Sequence, residues 1–467
     1  MTDSTAAVLP GFTEADLNTL KRLERLPFSR PQVRLLFLGG LGYAFDGMDG
    51  SMIAFLLVPV MRLWGLSNTQ VGALGSSVMV GYLVGAFTAG TLGDLIGRRK
   101  VMMFALFVYT FASLLAAFSP NWHFMFWTRM VAGLGVGAEG AIIAPYLCEF
   151  VQSRHRGRFV GSLSGFLSFG YVFAALIGFF IVPAHVQGWR IAQLISFLPI
   201  LMLLWWRRSL PESPRWLIQQ GRSLEAEQVV ADLEAYYVNH DEPLPPYEDV
   251  LIPAMGVRRA GNLFQNLAAL WHRDQARSTL MLWTLWVTIT FCVFGFFTWI
   301  PTLLVKQGMT VTKSFGFSLI MYLAQIPGCY SSAFLNERLD RKWTIVLYMV
   351  LGGVSAFCLS GARTDFSITM WGFWLSFFMI GAFGAIYTYT PELYPTAIRS
   401  TGMGVASACG RLGGLAAPLI IGLTYARIGF VGVFTITTCV LLLGALAVAT
   451  LGLRTAGKSL EQISAEE

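Results

Sequence analysis

Apolar runs of about twenty residues constrain this chain more than any other feature. Twelve such runs follow one another between residues 35 and 453, and each is long enough to cross a bilayer as a helix. Only 13% of the 467 residues are charged, whereas soluble domains carry about 25%. The sequence therefore predicts an all-α integral membrane protein with twelve transmembrane helices, at 35–60, 71–93, 101–118, 123–148, 159–182, 189–206, 279–304, 314–335, 343–361, 367–391, 401–426 and 430–453.

Lysines and arginines collect in every second loop. They are concentrated at 94–100, 149–158, 207–276, 337–342 and 392–399, and basic loops stay on the cytoplasmic side of a membrane. We therefore expect both termini to be cytoplasmic. The net charge of +7 follows from the same loops, so the sequence predicts membrane lipid around the chain and no nucleic-acid partner.

The polar stretch 207–276 separates six apolar runs from six. We predict a cytoplasmic N-terminal segment 1–34, a six-helix bundle 35–206, a cytoplasmic linker 207–276 with a helix at 224–237, a second bundle 279–453 and a cytoplasmic tail 454–467. In the first segment, Thr13, Leu17, Leu20 and Leu23 form an amphipathic pattern typical of a helix on the inner membrane surface.

Five charged positions repeat at one offset. Asp94, Arg98, Arg99, Glu149 and Arg156 each lie 243 residues before Glu337, Arg341, Lys342, Glu392 and Arg399. This pattern predicts duplicated six-helix units that rock around a central site.

The repeated charges lie at predicted cytoplasmic ends of helices. Opposite charges there can pair when that side is shut and separate when it opens. We predict a cytoplasmic gate formed by Asp94, Arg98, Glu149, Arg156, Glu337, Arg341, Glu392 and Arg399. The alternative is a set of solvated loop charges that contribute little.

Two carboxylates interrupt the first apolar run. Asp46 and Asp49 lie within 41–59, where each charge costs about 2.5–3.5 kcal/mol at the bilayer centre. Their spacing places both on one helix face, which predicts the wall of a transport pathway. Burial favours proton binding by carboxylates, so we predict Asp46 as the leading proton carrier, Asp49 as its partner and Glu139 as a helper. In the alternative, Asp49 only caps a broken helix end.

Loop motifs carry a family resemblance. The chain resembles the major facilitator superfamily, on the side of the sugar porters and organic ion transporters, at Gly93-Asp94, Gly97-Arg98-Arg99-Lys100, Arg129 with Gly133 and Gly137, Glu149 with Arg156-Gly157, and 211–215 (PESPR). Within it, the chain resembles the niacin (nicotinate) transporter branch of the metabolite:proton symporters at 46–49, 299–301, 324–328, 389–399 with 401–402, and 410–414. Two positions depart from the family pattern: Asp340 replaces a common glycine, and Arg454 stands where an acid is expected.

Arg411 is the residue we expect to hold an organic anion. It lies among small residues at 406–417, and its planar guanidinium matches a carboxylate. The resemblance implies the same role, because an arginine in this part of helix eleven is implicated in related anion and niacin transporters. The alternative is a structural arginine paired with a neighbouring helix.

Arg129 precedes glycines that permit tight helix packing. It resembles the superfamily's helix-four residue linked to proton coupling, and the alternative is a plain anchor at a helix end.

An aromatic substrate requires flat side chains near the middle of the membrane. We select Tyr387, Tyr389 and Phe297 for the ring, Gln325 as an uncharged hydrogen bonder and Asp49 as a further substrate contact. Aromatic residues in membrane helices more often serve packing or the interface. We also expect broken backbone at Pro301, Pro327-Gly328, Pro391 and Gly413-Gly414.

The sequence thus predicts a secondary active transporter, a monomer in the bacterial inner membrane, for proton-coupled uptake of a small aromatic monocarboxylate, with nicotinate favoured. Alternatives are a benzoate-type acid symporter or a sugar or organic cation porter. No phosphate loop and no metal-ligand spacing appear, so neither a cofactor nor a metal nor an enzyme activity is predicted.

Overall fold

The computed structural model describes residues 13–152, 155–239, 244–247, 263–272, 275–394 and 398–454. All regular secondary structure in these ranges is helical, which confirms the predicted all-α class. The helices are α1 (Glu14–Arg25), α2 (Arg30–Trp64), α3 (Asn68–Ile96), α4 (Arg98–Ala117), α5 (Trp122–Cys148), α6 (Arg156–Phe180), α7 (Gly188–Phe197), α8 (Met202–Ser209), α9 (Pro214–Gln219), α10 (Ser223–Asn239), α11 (Leu263–Leu270), α12 (Ala276–Lys306), α13 (Val311–Leu323), α14 (Gln325–Arg338), α15 (Arg341–Ser360), α16 (Asp365–Glu392) and α17 (Arg399–Leu451).

Within the described ranges, nine helical stretches are long and apolar enough to cross a membrane. They are α2, α3, α4, α5, the α7–α8 stretch Gly188–Ser209, α12, α15, α16 and α17. The longest is α17, which covers two of the predicted runs and departs from helical geometry at Gly429, with φ 60° and ψ −164°.

Two predicted helices and some of the expected breaks differ from the structure for local reasons. The run 314–335 is divided into α13 and α14, which meet at Ala324, because Pro327 offers no N–H to the preceding turn. The run 189–206 contains a turn of 3-10 helix, Leu198–Leu201, that begins at Pro199. The breaks expected at Pro301 and 413–414 are wrong, since α12 and α17 continue through them. At Pro391 the helix α16 does end, one residue later at Glu392.

The duplicated charge pattern corresponds to duplicated structure. α4 and α15 each have 20 residues and begin 243 positions apart, at Arg98 and Arg341. The residue before each helix has the same unusual backbone: Gly97 at φ 101°, ψ 145° and Asp340 at φ 85°, ψ 146°. The aspartate therefore keeps the turn that glycine forms in the first half, and its side chain accepts a hydrogen bond from the backbone N–H of Lys342 at 3.2 Å.

Helices α2–α8 and α12–α17 form two packed halves. α3 packs on α5 and α2 on α6 in the first half, and α12 packs on α17 and α16 on α15 in the second. The halves meet where α3 packs on α17, α2 on α12 and α6 on α13.

We call the end of the molecule that carries the linker helices α9 and α10 the linker end, and the opposite end the far end. Contacts between the halves close the far end. Lys306 donates a hydrogen bond to Asn68, the Phe55 and Phe315 rings lie 5.3 Å apart, and a Cβ on Gly72 would lie 2.5 Å from the carbonyl oxygen of Pro418.

The helix predicted at the N-terminal membrane surface packs on the linker instead. The apolar face of α1 is covered by α9 and α10, because Leu20 packs with Trp216 and Leu23 with Val230. Ion pairs surround this contact: Arg22 and Arg25 each bind Glu234 at 2.6 Å. The amphipathic pattern was correctly read as a helix, but its partner is protein.

Candidate functional site

A cavity of about 90 Å³ lies between the two halves. Five residues selected from the sequence line it: Asp46, Phe297, Gln325, Tyr387 and Arg411. Sequence reasoning did not select Tyr43, Tyr82, Tyr171 and Tyr322, which also line it. Tyr43 lies one helical turn from Asp46 on α2, so its spacing could have identified it.

Arg411 enters the cavity from α17 and contacts the other half. Its Nη2 donates a hydrogen bond to the Tyr82 hydroxyl at 3.0 Å, and its Cζ lies 3.9 Å from the centre of the Tyr82 ring. Within the described residues no carboxylate forms an ion pair with it. The guanidinium therefore keeps N–H donors available on the cavity side.

Small residues provide the room for this arrangement. On α17, a Cβ on Gly413 would lie 2.4 Å from the Val287 carbonyl oxygen of α12. On α5, a Cβ on Gly140 would lie 2.7 Å from the Tyr82 hydroxyl. Both sides of the Arg411–Tyr82 contact are thus fixed by close helix packing.

Asp46 and Glu139 are buried acids without hydrogen-bond partners in the described part of the chain. The exposed fraction is 2% for Asp46 and 0% for Glu139, and none of their four carboxylate oxygens has a partner there. Asp46 lines the cavity. Glu139 lies behind it, where its Oε1 would be 2.7 Å from a Cβ on Gly42, one helical turn before Asp46 on α2.

Asp49 lies outside the cavity lining and binds Arg129. Nη2 of Arg129 contacts Oδ2 of Asp49 at 2.9 Å and its carbonyl oxygen at 2.8 Å. Ser113 donates to Oδ1 of Asp49 at 2.5 Å, and Gln193 accepts from Arg129 at 3.2 Å. Since α2 is helical through Asp49, the broken-end cap is wrong, and Arg129 lies in this buried network rather than at a helix end.

Tyr389 also lies outside the cavity. Its ring is buried, and its hydroxyl donates to the Leu453 carbonyl oxygen at 2.8 Å. The structure therefore places Tyr389 at the junction of α16 with the end of α17, two residues along the helix from cavity-lining Tyr387.

The repeated charges at the linker end form the same ion pair in both halves. Arg98 binds Glu149 in the first half, and Arg341 binds Glu392 at 3.2 Å in the second. Ser213 of the linker donates to Glu149, and Asp94 lies 3.4 Å from Arg98. Burial raises the pKa of Glu149, although Arg98 and Ser213 oppose that effect.

Arg156 joins this end to the N-terminal helix. It binds Glu24 at 3.2 Å, as Arg215 does at 3.0 Å, and its Nε donates to the carbonyl oxygens of Cys148 and Val151. The side chains of Glu337 and Arg399 lie outside the described residues. Within the described residues, no three His, Cys, Asp or Glu side chains are grouped to hold a metal ion.

Comparison with known proteins identifies the family. The model for the family described as sugar (and other) transporter matches residues 31–466. The chain belongs to this family of the major facilitator superfamily. It is therefore a multi-pass membrane transporter.

Two relatives of the transporter cover almost its whole length. The niacin transporter NiaP of Acinetobacter baylyi is 38% identical over 448 residues, covering 96% of this chain and 100% of the relative. The putative niacin/nicotinamide transporter NiaP of Bacillus subtilis is 33% identical, covering 92% and 98%. The predicted superfamily and the likeness to niacin transporters are confirmed.

A solved structure confirms the fold of the transporter. The partially occluded inward-open xylose transporter XylE from E. coli matches with a TM-score of 0.73 at 16% identity, covering 92% of this chain and 100% of that one.

Proposed function

We propose that this transporter takes up a small aromatic monocarboxylate together with protons, by alternating access, and that nicotinate is the substrate. The observation that carries the proposal is Arg411, a cavity-lining cation with no acidic partner among the described residues. A guanidinium fork binds a carboxylate through two parallel hydrogen bonds. The names of the two relatives support nicotinate.

Aromatic side chains beside Arg411 suit a flat ring. The rings of Phe297 and Tyr322 lie 4.8 Å apart and nearly edge to face, and Phe294 and Phe383 line the same cavity. Aromatic pairs prefer such edge-to-face and offset geometries. A single-ring acid therefore binds with its carboxylate at Arg411 and its ring against this wall.

Asp46 is the leading proton carrier in this proposal. A buried carboxylate without partners favours its neutral form, and an ionised Asp46 repels a substrate carboxylate in the same cavity. Protonation removes that repulsion, so the proton and the anion bind better together. Glu139, behind Asp46, is the helper, whereas Asp49 is held by Arg129 and contributes to coupling only when that ion pair opens.

We further propose twelve spans with both termini in the cytoplasm of a bacterium, in a monomer embedded in inner-membrane lipid. In this topology α13 with α14 and α7 with α8 each form one span, and α17 forms two spans that meet at Gly429. The bundles 35–206 and 279–453 rock about the linker 207–276. The far end is then the outer side, so its contacts, such as Lys306 with Asn68, describe an inward-facing state.

The eight charges selected at the cytoplasmic end are the gate in this proposal. In an inward-facing state, each pair joins helices within one half, as Arg98–Glu149 and Arg341–Glu392 do. Closing that end brings the two clusters towards each other and exchanges their partners.

Uptake into proteoliposomes tests the function. We expect an inwardly directed proton gradient to drive accumulation of labelled nicotinate, with benzoate as a weaker competitor. Arg411→Lys keeps the charge but loses the fork, so it raises the KM. Asp46→Asn abolishes accumulation while sparing nicotinate exchange without a gradient.

Three outcomes contradict the proposal. Accumulation of sugars or organic cations in place of acids excludes the substrate class. Undiminished accumulation by Asp46→Asn excludes Asp46 as the carrier, and wild-type affinity in Arg411→Lys excludes bidentate binding.

A further inference from the structure

Gln325 is a buried amide that faces the cavity without a partner. It is 0% exposed, it lines the cavity, and neither Oε1 nor Nε2 has a hydrogen-bond partner among the described residues. Leaving such a group unsatisfied costs about 1–3 kcal/mol. A bound ligand that hydrogen-bonds the Gln325 amide would remove this cost.

The backbone holds Gln325 in place. It is the first residue of α14, directly after the break at Ala324. Three residues on, a Cβ on Gly328 would lie 2.4 Å from the Phe377 carbonyl oxygen of α16, so α14 and α16 are in close backbone contact. The amide is therefore presented by a rigid helix start rather than by a loop.

The surroundings of Gln325 are aromatic and apolar. Phe297, with 8% exposure, and the fully buried Tyr322 line the cavity with it. The Tyr322 hydroxyl already donates to the Phe297 carbonyl oxygen at 3.3 Å. Gln325 thus offers this wall an uncharged side chain with both a free donor and a free acceptor among the described residues.

Two polar side chains of the cavity suit the two ends of an aromatic acid. Arg411 supplies N–H donors to a carboxylate, and Gln325 supplies an amide to an atom of the ring that can hydrogen-bond. A carbocyclic ring has no such atom and leaves the amide unpaired. Sites that hydrogen-bond a substrate atom reject analogues without it much more strongly than apolar pockets reject a change of size.

We propose that Gln325 selects heteroaromatic acids over carbocyclic ones by donating its amide N–H to a ring nitrogen. This inference rests on the proposed function and narrows its substrate class to nitrogen-containing aromatic monocarboxylates. Arg411 then sets the preference for acids, and Gln325 sets the preference for the ring.

The test compares nicotinate with benzoate, which has the same carboxylate and ring size but no ring nitrogen. Dissociation constants are measured on purified full-length protein in detergent for wild type and Gln325→Met, a swap of similar length and shape. We expect wild type to prefer nicotinate by about tenfold or more. Gln325→Met weakens nicotinate by about tenfold, leaves benzoate within about twofold, and so removes the preference.

A folding defect is distinguishable from this result. Replacing an unsatisfied buried amide by an apolar group does not lower stability, so the substrate-free Tm of Gln325→Met is at least that of wild type. Gln325→Leu serves as a second apolar variant. Tyr348→Phe removes a hydroxyl that donates to Ser331 at 2.8 Å, outside the cavity lining, and leaves both affinities unchanged.

Two results overturn the inference. If Gln325→Met weakens the binding of both acids equally, the residue shapes the cavity but does not distinguish a ring nitrogen from a ring carbon. If wild type binds both acids equally, the amide is satisfied in another way. Failure of the proposed function differs from either, because wild type then binds neither acid, and this outcome overturns both proposals.

Discussion

Arg129 on α5 closes a fully buried ion pair with Asp49 on α2, while Asp46, one turn earlier on α2, has no partner among the described residues. The guanidinium reaches Oδ2 of Asp49 at 2.9 Å, and both side chains are 0% exposed. The two acids of the first spanning helix therefore occupy different environments, one paired and one facing the cavity. We therefore expect Asp49 to stabilise the fold and Asp46 to act in the cavity.

Removing either charge of the buried pair is expected to destabilise the protein. Asp49→Asn leaves Arg129 charged and uncompensated, at a cost of about 3–5 kcal/mol. Asp46→Asn is the matched control on the same helix, and we expect its stability within about 1 kcal/mol of wild type. Thermal unfolding in detergent measures both, and equal midpoints for the two variants would contradict the assignment.

The stack of Tyr82 on Arg411 predicts non-additive effects on substrate affinity. Tyr82→Phe removes the hydroxyl at 3.0 Å but keeps the ring, so Arg411 is less well oriented and nicotinate binds about 3–10-fold more weakly. In an Arg411→Lys background the same change has little further effect, because the residue that it orients is absent. Additive losses in this double-mutant cycle of dissociation constants would show that Tyr82 acts independently.

The proposed cytoplasmic gate predicts a change in turnover rather than in assembly. Glu149→Gln and Glu392→Gln each remove the acid of one of the two repeated ion pairs, and each shifts the balance between the two end states. We expect a several-fold change in kcat at equal membrane abundance, measured by uptake and quantitative blotting. Unchanged transport in both variants would contradict a role in gating and would favour solvated loop charges that contribute little.

Docking of α1 on the linker is expected to depend on pH. Burial by itself would raise the pKa of Glu234, but hydrogen bonds from Arg22 and Arg25 outweigh it and hold the pKa below the ordinary 4.5. For an acid with a lowered pKa, the stabilisation is complete above the ordinary value and is lost as the pH falls through the lowered one. Spin labels at Glu14 and Leu224 should therefore keep their separation from pH 7 to about 5 and separate only in stronger acid.

Two variants test whether Glu234 is the group responsible for docking. Glu234→Gln broadens the distribution of distances between the two labels at every pH, since the two arginines lose their shared carboxylate. Glu227→Gln is the control, because Glu227 is largely exposed and lies 3.4 Å from Arg22. A loss of docking near neutral pH would contradict the sign of the shift.

The repeated turn predicts opposite effects in the two halves. Asp340 has φ 85°, a region that costs a residue with a side chain about 1–3 kcal/mol, and glycine at a helix N-cap costs only a few tenths of a kcal/mol relative to aspartate. Asp340→Gly should therefore raise stability by about 1 kcal/mol. Gly97→Ala should lower it, since φ is 101° and the new Cβ would lie 2.5 Å from Glu212. Thermal midpoints that move the other way would contradict the strain argument.

Residue spacing along the chain predicted the features that depend on sequence separation within or between helices. The repetition of Arg98 and Glu149 at Arg341 and Glu392 predicted charges at matching helix ends but not their partners, and the structure pairs each arginine with the glutamate of its own half. Asp46 and Asp49 were placed on one helix face, yet about 60° separates them around the axis. That angle directs one to the cavity and the other to Arg129, and the rotation of α2 is set by its neighbours rather than by its own residues.

The orientation of Tyr82 toward the cavity could not be predicted from the sequence either. Its direction follows from the close approach of α3 to α5, where a Cβ on Gly81 would lie 1.8 Å from the Met130 carbonyl oxygen and one on Gly85 1.9 Å from that of Leu134. Glycines in the sequence indicate that helices approach closely, but they do not say which face turns toward the substrate.

The partner of the N-terminal helix has a consequence for biosynthesis. Glu24 binds Arg215, 191 positions later in the chain, so α1 leaves the ribosome long before its docking surface has been translated. Until then the apolar face of α1, with Leu20 and Leu23, lacks the linker residues Trp216 and Val230 that pack with it in the folded protein. Docking of α1 on the linker therefore follows translation of at least the first 215 residues.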